Sequence, residues 1–139
     1  MPRTKASAPP QAPQALDVRL VPIATLFPDP ENVRRHPAKN LQAIRESLAT
    51  FGQQKPVVAL PDGRIVAGSG TWEAATQLGW THLSAAFSPL AVDLARAYAV
   101  ADNRTGELAV WDETALADLL KELSDQDLPL PGWDEADLR

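Results

Sequence analysis

Residues 56–79 read PVVALPDGRIVAGSGTWEAATQLG, and this stretch decides the fold. Two short apolar runs, 56–60 and 64–67, predict two strands. Pro61-Asp62-Gly63 separates them and predicts a hairpin turn, because proline presets φ and glycine accepts a positive φ. The glycine-rich segment 68–71 then links the second strand to a helical pattern.

Strand and helix patterns continue on both sides of this stretch. Before it, four apolar residues on one helical face predict a helix that Gly52 ends: Leu41, Ile44, Leu48 and Phe51. Two further strands are predicted, at 18–22 and 81–87, and a helix at 72–78 that Gly79 ends. Ser88 as N-cap and Pro89 at the first helical position predict a helix that runs to about Asn103. Asp112 predicts the N-cap of a last helix. Early strands and late helices predict an α+β fold with a small mixed β-sheet and packed helices.

Length and composition predict one domain with a segment on each side. The chain has 139 residues, of which 45% are hydrophobic, and one domain typically takes ~100–200 residues. We expect residues 1–15, rich in proline and alanine, to form a disordered arm. Residues 16–124 are then the domain, and residues 125–139 an acidic tail that docks on it through Leu130 and Trp133.

The sequence contains no cysteine, which excludes several kinds of functional and structural site. It excludes a disulfide framework, a thiol nucleophile, a cysteine zinc site and an iron–sulfur cluster. No stretch approaches the ~20 apolar residues of a transmembrane helix. Residues 1–15 also lack the apolar segment of a secretory signal. We therefore expect a cytoplasmic protein with no membrane partner.

The net charge of -5 is distributed unevenly along the chain. Residues 1–80 carry +3 and residues 81–139 carry -8, while the stretch 32–70 alone carries +4. The total argues against non-specific coating of nucleic acid through bulk charge. A ligand that bears phosphate is nevertheless expected to meet the first half of the chain.

The segment Gly68-Ser69-Gly70-Thr71 is the sharpest chemical feature. Two glycines let backbone approach a ligand closely, and the following helix begins with unpaired amides and the positive end of its dipole. Ser69 and Thr71 add hydroxyl groups, so the segment would suit a phosphate. A tight strand-to-helix turn without a ligand explains the same residues.

Two further segments add polar and basic groups. Asn32, Arg34 and Arg35 lie in a proline-bounded loop, where arginine offers a planar fork for phosphate. Gln54 and Lys55 lie between the end of a predicted helix and the start of a strand. Each segment could equally be a solvated loop, with the asparagine making a turn.

A fourth segment, Asp102-Asn103-Arg104, lies near the predicted end of an alanine-rich helix. Carboxylate and amide oxygens suit Mg²⁺ that is bound together with substrate phosphates. Arg104 could neutralise phosphate charge. The alternative is a helix C-cap, with Asn103 in the left-handed conformation and a basic residue at the negative end of the dipole.

Taken in order, the polar segments resemble a known family. They are PDPENVRRH (28–36), FGQQKPVV (51–58), DGRIVAGSGT (62–71) and AYAVADNR (97–104). The series resembles the ParB-type N-terminal domain of the ParB/sulfiredoxin-like superfamily over roughly residues 17–138. The last segment is similar to a phage and actinobacterial branch whose members occur alone or beside DNA methyltransferase domains.

The resemblance implies a nucleotide-binding fold that, in partition proteins, binds CTP with Mg²⁺ and acts as a clamp switch on DNA. Partition proteins have Gly-Glu-Arg-Arg where this chain has Gly68-Ser69-Gly70-Thr71, so both arginines are missing. Their Glu-Asn metal pair is matched by Asp102-Asn103, with Arg104 directly after it. Sulfiredoxins use a cysteine at the turn, so sulfinic-acid reduction is excluded here. Since no helix-turn-helix pattern follows residue 105, we expect no sequence-specific DNA reading by this chain alone.

One such fold would bring the four segments to one cleft, which favours a nucleotide or phosphate site. Its ligands would be a nucleoside triphosphate, CTP or ATP, and Mg²⁺. The predicted phosphate-binding residues are Asn32, Arg34, Arg35, Gln54, Lys55, Gly68, Ser69, Gly70, Thr71 and Arg104, and the predicted metal ligands are Asp102 and Asn103. The protein would act on DNA, directly or through a partner protein, in a partition, phage or DNA-modification context.

Two alternatives stay open. The first is an enzyme, a DNA nuclease or a nucleotide-dependent phosphotransferase, with Glu73 and Asp102 as catalytic residues. A weak NTPase activity is also open. The second is a non-catalytic adaptor for a DNA methyltransferase or a phage packaging partner, which would dock on the acidic half of the chain.

Overall fold

The computed structural model describes residues 13–138. Of the predicted arm at 1–15, residues 1–12 lie outside the described residues, and residues 13–15 belong to no helix or strand. The strands are β1 (Asp17–Pro22), β2 (Phe27–Pro28), β3 (Val57–Ala59), β4 (Arg64–Ala67) and β5 (His82–Phe87), and a 3-10 turn covers Ile23–Thr25. The α-helices are α1 (Ala38–Phe51), α2 (Ser69–Gln77), α3 (Val92–Leu108) and α4 (Glu113–Asp125).

The strands form one mixed sheet in the order β1-β5-β3-β4-β2. β1 runs antiparallel to β5, β5 parallel to β3, β3 antiparallel to β4, and β4 parallel to β2. The predicted α+β class with a small mixed sheet is confirmed. β2 was not predicted, because a two-residue strand that ends in proline has no alternation to detect.

The two faces of the sheet carry different helices. Ile65 and Val66 are consecutive on β4, and their side chains point to opposite faces. Ile65 packs with Leu48 of α1 and Ala74 of α2, whereas Val66 packs with Ala95 of α3. The sheet therefore lies between the α1–α2 pair and α3, and α2 and α3 approach it from opposite sides.

Helix α2 begins three residues earlier than predicted, at Ser69 instead of Trp72. The reason is Gly68, which takes the N-cap position in the left-handed conformation with φ of 102°. The predicted linking turn is therefore one cap residue followed by the first turn of the helix. This shift places the backbone amides of residues 69–71 at a helix N-terminus.

Helix α3 starts and ends later than predicted. Ser88 as N-cap is wrong, because its amide donates to Ala59 O at 2.8 Å and continues the sheet pairing. The Ser88 hydroxyl accepts from Leu90 N at 3.2 Å in a local turn, and the helix begins only at Val92. At the other end, α3 continues to Leu108. The C-cap interpretation of Asn103 is therefore wrong, since Asn103 lies inside the helix.

The end of the described chain lies beside α1. Asp112 caps α4 as predicted, accepting from Ala115 N at 3.0 Å. Beyond α4, the Trp133 ring meets the Trp111 ring edge to face, with centroids 5.8 Å apart. Asp134 Oδ2 lies 3.9 Å from Lys39 Nζ at the start of α1. None of the described helices is both long enough and apolar enough to cross a membrane.

Candidate functional site

A cleft of about 420 Å³ opens where β3, β4, the start of α2 and the middle of α3 meet. It contains members of all four segments predicted from the sequence to be functional. The predicted residues that line it are Asn32, Arg34, Lys55, Gly68, Ser69, Gly70, Thr71, Asp102 and Asn103. One wall is thus the N-terminus of α2, and the opposite wall is the face of α3 that carries Asp102.

The N-terminus of α2 offers backbone donors to this cleft. The first hydrogen bond of the helix runs from Trp72 N to Gly68 O at 3.0 Å. No side chain caps the helix, and within the described residues no acceptor meets the amides of Ser69, Gly70 and Thr71. Three unpaired amides at the positive end of a helix dipole make a site for an anion.

Both glycines of the turn serve packing within the protein. A Cβ on Gly68 would lie 2.7 Å from Val57 Cγ1, and its φ of 102° already disfavours other residues. A Cβ on Gly70 would lie 2.7 Å from His36 Cε1 and 2.9 Å from Ile44 Cδ1. The space beside each glycine is therefore filled by side chains of the protein, which hold the turn on β3 and α1.

Asn32 organises the basic loop, residues 29–37 between β2 and α1, and joins it to α2. Its Oδ1 accepts from Arg34 N at 3.0 Å, and its Nδ2 donates to Ser69 Oγ at 3.4 Å. Its carbonyl accepts from Arg35 Nη1 at 2.6 Å. Of these two arginines, Arg34 lines the cleft and Arg35 does not.

Asp29 fixes the start of this loop from a buried position. Its side chain is 7% exposed and receives Arg96 Nε at 3.0 Å and Arg96 Nη2 at 3.2 Å. Glu31 N donates to it at 3.0 Å, and Arg64 Nη1 lies 3.8 Å away. The hydrogen bonds from Arg96 hold the pKa of the Asp29 carboxyl below its ordinary value. This cluster links α3, β4 and the basic loop, and sequence analysis missed it because its partners are 67 residues apart.

The α3 wall of the cleft is polar. Asn103 Oδ1 accepts from Arg34 Nη1 at 3.0 Å, which joins α3 to the basic loop a second time. Tyr98 lies one helical turn before Asp102 and also lines the cleft. Burial raises the pKa of the Tyr98 hydroxyl, and the Asp102 carboxylate raises it further. Tyr98 could have been found from its spacing of four residues to Asp102, which puts both on one helix face.

The cleft fits a metal ion only in combination with a ligand. Among residues 13–138, no group of three or more histidine or carboxylate side chains is placed to hold a metal. Within the described part of the chain, Asp102 is the only carboxylate that lines the cleft, and Asn103 Oδ1 is already engaged by the Arg34 guanidinium. One carboxylate fits Mg²⁺ that arrives on phosphates and keeps most of its water ligands.

Four of the predicted residues do not line the cleft. Gln54 Nε2 donates to Phe51 O at 2.6 Å and so caps α1. Arg104 is exposed on α3. Arg35 and Glu73 line a neighbouring cavity of about 260 Å³. Glu73 and Asp102, the two proposed catalytic acids, are therefore not brought into one cavity.

Comparison with known proteins rests on structure. No family model and no curated protein sequence matches the chain. The C-terminally truncated chromosome-partitioning protein ParB from Caulobacter crescentus, in complex with CTP-gamma-S, matches with a TM-score of 0.69 and 22% identity over 80% of this chain. The chain has the fold of a ParB N-terminal domain.

Two other ParB structures support this similarity of fold. The pNOB8-like ParB N-domain gives a TM-score of 0.54 at 16% identity, covering 81% of this chain and 46% of that one. The Caulobacter crescentus ParB in complex with the centromeric parS site gives 0.53 at 23% identity, covering 78% of this chain and 58% of that one. This chain spans 64% of the ParB that carries CTP-gamma-S, so it matches only part of each ParB chain.

Proposed function

We propose that the chain binds a nucleoside triphosphate with Mg²⁺ in the cleft, with CTP as the first candidate. The observation that carries the proposal is the set of three unpaired amides, Ser69 to Thr71, on one wall of a cleft of about 420 Å³. A ParB of the same fold is known in complex with CTP-gamma-S, which favours CTP over other nucleotides.

The phosphates would lie between the start of α2 and two cationic side chains. Arg34 and Lys55 line the same cleft, and their positive charges complement the helix dipole. Arg34 supplies a planar fork, whereas Lys55 supplies a point charge on a flexible stem. Asp102 would hold Mg²⁺, which neutralises phosphate charge when bound. Since the turn carries no arginine, the backbone amides provide the donors there.

The test is isothermal titration with CTP, ATP and GTP, each with Mg²⁺. We expect CTP to bind with a dissociation constant below about 1 mM, and ATP and GTP to bind more weakly. If none of the three nucleotides produces a binding isotherm at millimolar concentration, the proposal is wrong.

A matched pair of lysine variants tests the location. Lys55→Ala removes a cation from the cleft, and we expect the affinity for CTP to fall about tenfold. Lys39→Ala removes an exposed lysine that lies outside the cleft, and we expect it to bind CTP like the wild type. Equal losses in both variants would show that the nucleotide responds to overall charge and does not bind at the cleft.

We further propose that the nucleotide-bound protein acts in a DNA-associated process. The support is the fold shared with a ParB that binds the centromeric parS site, together with the basic stretch 32–70. Fluorescence anisotropy with a labelled duplex, with and without CTP and Mg²⁺, checks this at two salt concentrations. We expect binding that depends on salt and changes with CTP. A duplex that never binds would leave only action through a partner protein. Nuclease activity, a DNA methyltransferase partner and a phage context remain predictions of the sequence resemblance.

A further inference from the structure

His36 occupies a position at the cleft that the proposed function has not used. The ring is half-buried and lines both the main cleft and the neighbouring cavity. Its Nδ1–Cε1 edge lies directly on Gly70, since a Cβ at Gly70 would be 2.8 Å from Nδ1 and 2.7 Å from Cε1. The imidazole is therefore packed against the first turn of α2, beside the unpaired amides.

Asn40 engages one of the two ring nitrogens of His36. His36 Nδ1 lies 2.7 Å from Asn40 Oδ1, an oxygen that can only accept, so Nδ1 carries a proton. Within the described residues, the ring makes its side-chain hydrogen bond through Nδ1, and Nε2 is left to solvent or a ligand. In the neutral ring Nε2 is an acceptor, and in the imidazolium it is a donor. A phosphate at the start of α2 would therefore be matched only by the protonated ring.

The charged groups around the ring come from every neighbouring element. Those that line the cleft or the neighbouring cavity with the ring are Arg34 and Arg35 on the loop of His36 itself, Lys55 across the cleft, Glu73 on α2 and Asp102 on α3. A bound triphosphate would add several negative charges to this set. Binding of such a ligand consequently favours a second proton on the imidazole.

We propose that His36 takes up a proton when a phosphate-bearing ligand enters the cleft, and that Nε2 then donates a hydrogen bond to a phosphate oxygen. This inference rests on the proposed nucleotide binding and adds its regulation: the affinity of the cleft rises as the pH falls. It also explains the second glycine of the turn, because only glycine leaves room for the ring.

The experiment uses the other histidine as its control, since the chain has only two. His36→Gln keeps a polar side chain that does not titrate. His82→Gln removes the exposed histidine of β5, which lies outside the cleft. Isothermal titration of CTP and Mg²⁺ is run at pH 7 in two buffers of different ionisation enthalpy, and again at pH 6 and pH 8. Titration of the CTP phosphates is common to all proteins and cancels in the comparison.

We expect the wild type and His82→Gln to take up the same fraction of a proton, and His36→Gln to take up less. From pH 8 to pH 6 the affinity of the wild type should rise about tenfold more than that of His36→Gln. Proton NMR of the His36 Hε1 signal, assigned with His82→Gln, gives a direct readout. Its titration midpoint should move to higher pH when CTP is added.

The outcomes separate the two proposals. Nucleotide binding with identical proton uptake and identical pH dependence in the wild type and His36→Gln overturns the inference and leaves the proposed function intact. No binding in any of the proteins overturns both.

Asn40→Leu, at an exposed position of α1, guards against a folding defect in His36→Gln. It keeps the imidazole but removes the acceptor at Nδ1, and it should weaken the coupling to pH. An unchanged coupling in Asn40→Leu contradicts the assigned role of Nδ1.

Discussion

The turn region, residues 57–77, and the C-terminal region, residues 92–138, differ in what determines their structure. In the turn region each boundary has a local cause, such as the Pro61-Asp62-Gly63 hairpin and the left-handed Gly68. In the C-terminal region α3 is set by partners far away in the sequence, since Arg96 bonds to Asp29. Local chemistry thus builds one wall of the cleft, and long-range contacts place the other.

This difference has a functional consequence. The turn region supplies backbone amides, whose positions are fixed by the sheet and by α2. The C-terminal region supplies the side chains of Asp102 and Asn103, which are joined to the basic loop through exposed contacts such as Arg34 to Asn103 at 3.0 Å. We therefore expect the turn region to tolerate substitution poorly and the C-terminal region to tolerate it better.

The largest effect is expected for Gly68→Ala. The added Cβ would lie 2.7 Å from Val57 Cγ1, and alanine is strained at a φ of 102°. Strain and overpacking together should destabilise the protein by roughly 3 kcal/mol or more, measured by urea unfolding.

Gly79→Ala is the matched control for this substitution. Gly79 also has a positive φ, of 81°, but a Cβ there would meet nothing within 4 Å. We expect a loss of about 1 kcal/mol from backbone strain alone. Equal losses at Gly68 and Gly79 would show that packing on Val57 does not hold the turn, and the contrast between the two regions would weaken.

The next largest effect is expected for Asp29→Asn, which breaks the link between the two regions. The carboxylate is buried and bonded twice to Arg96, so its loss should cost about 2 kcal/mol at pH 7. Because the folded-state pKa of Asp29 lies below that of the unfolded chain, about 3.9, this stability is fully present above that value. It is lost as the pH falls through the lowered folded-state pKa. Urea unfolding at a series of pH values should show the wild type and Asp29→Asn converging in acid.

Asp93→Asn provides the comparison for Asp29. Asp93 also lies near Arg96, with Oδ1 3.9 Å from Nη1, but its side chain is fully exposed. An exposed pair of this kind adds little to stability, so the variant should unfold like the wild type at every pH. If Asp93→Asn destabilised the protein as much as Asp29→Asn, burial would not be the source of the effect.

The same contrast explains how far the sequence predicts the structure. The hairpin and α1 could be predicted, because proline, glycine and apolar spacing act within a few residues. The start of α2 was predicted three residues too late, because Gly68 takes the N-cap position in the left-handed conformation. The start of α3 could not be predicted, since Ser88 N finds Ala59 O in the sheet before the helix can begin. Nor could β2, whose two residues pair with β4 only after the chain has folded.

The residues of the candidate site also fall into those that the sequence predicts and those that only the folded structure identifies. Residue type and order pointed to Arg34, Lys55 and the turn 68–71, and the structure brings them to one cleft. Adjacent residues such as Arg34 and Arg35 could not be told apart, because the hydrogen bond from Arg35 to Asn32 O depends on the folded loop. His36 belongs to the segment 28–36, but its packing against Gly70, which is distant in sequence, could not be predicted.

The smallest effect is expected at the far end of the C-terminal region. Trp133→Ala removes the edge-to-face contact with Trp111 and one side of the groove of about 710 Å³ that residues 132–134 form with α1. We expect a loss of about 1 kcal/mol in urea unfolding, because the ring is only half-buried. Trp111→Ala removes the ring contact alone, from a side chain that is 62% exposed, and should cost roughly half as much. The difference between the two losses of unfolding free energy measures how much the segment beside α1 contributes to stability beyond the contact between the two rings. A loss for Trp133→Ala as large as that for Gly68→Ala would mean that the tail is as much a part of the core as the turn, and the distinction between the two regions would fail.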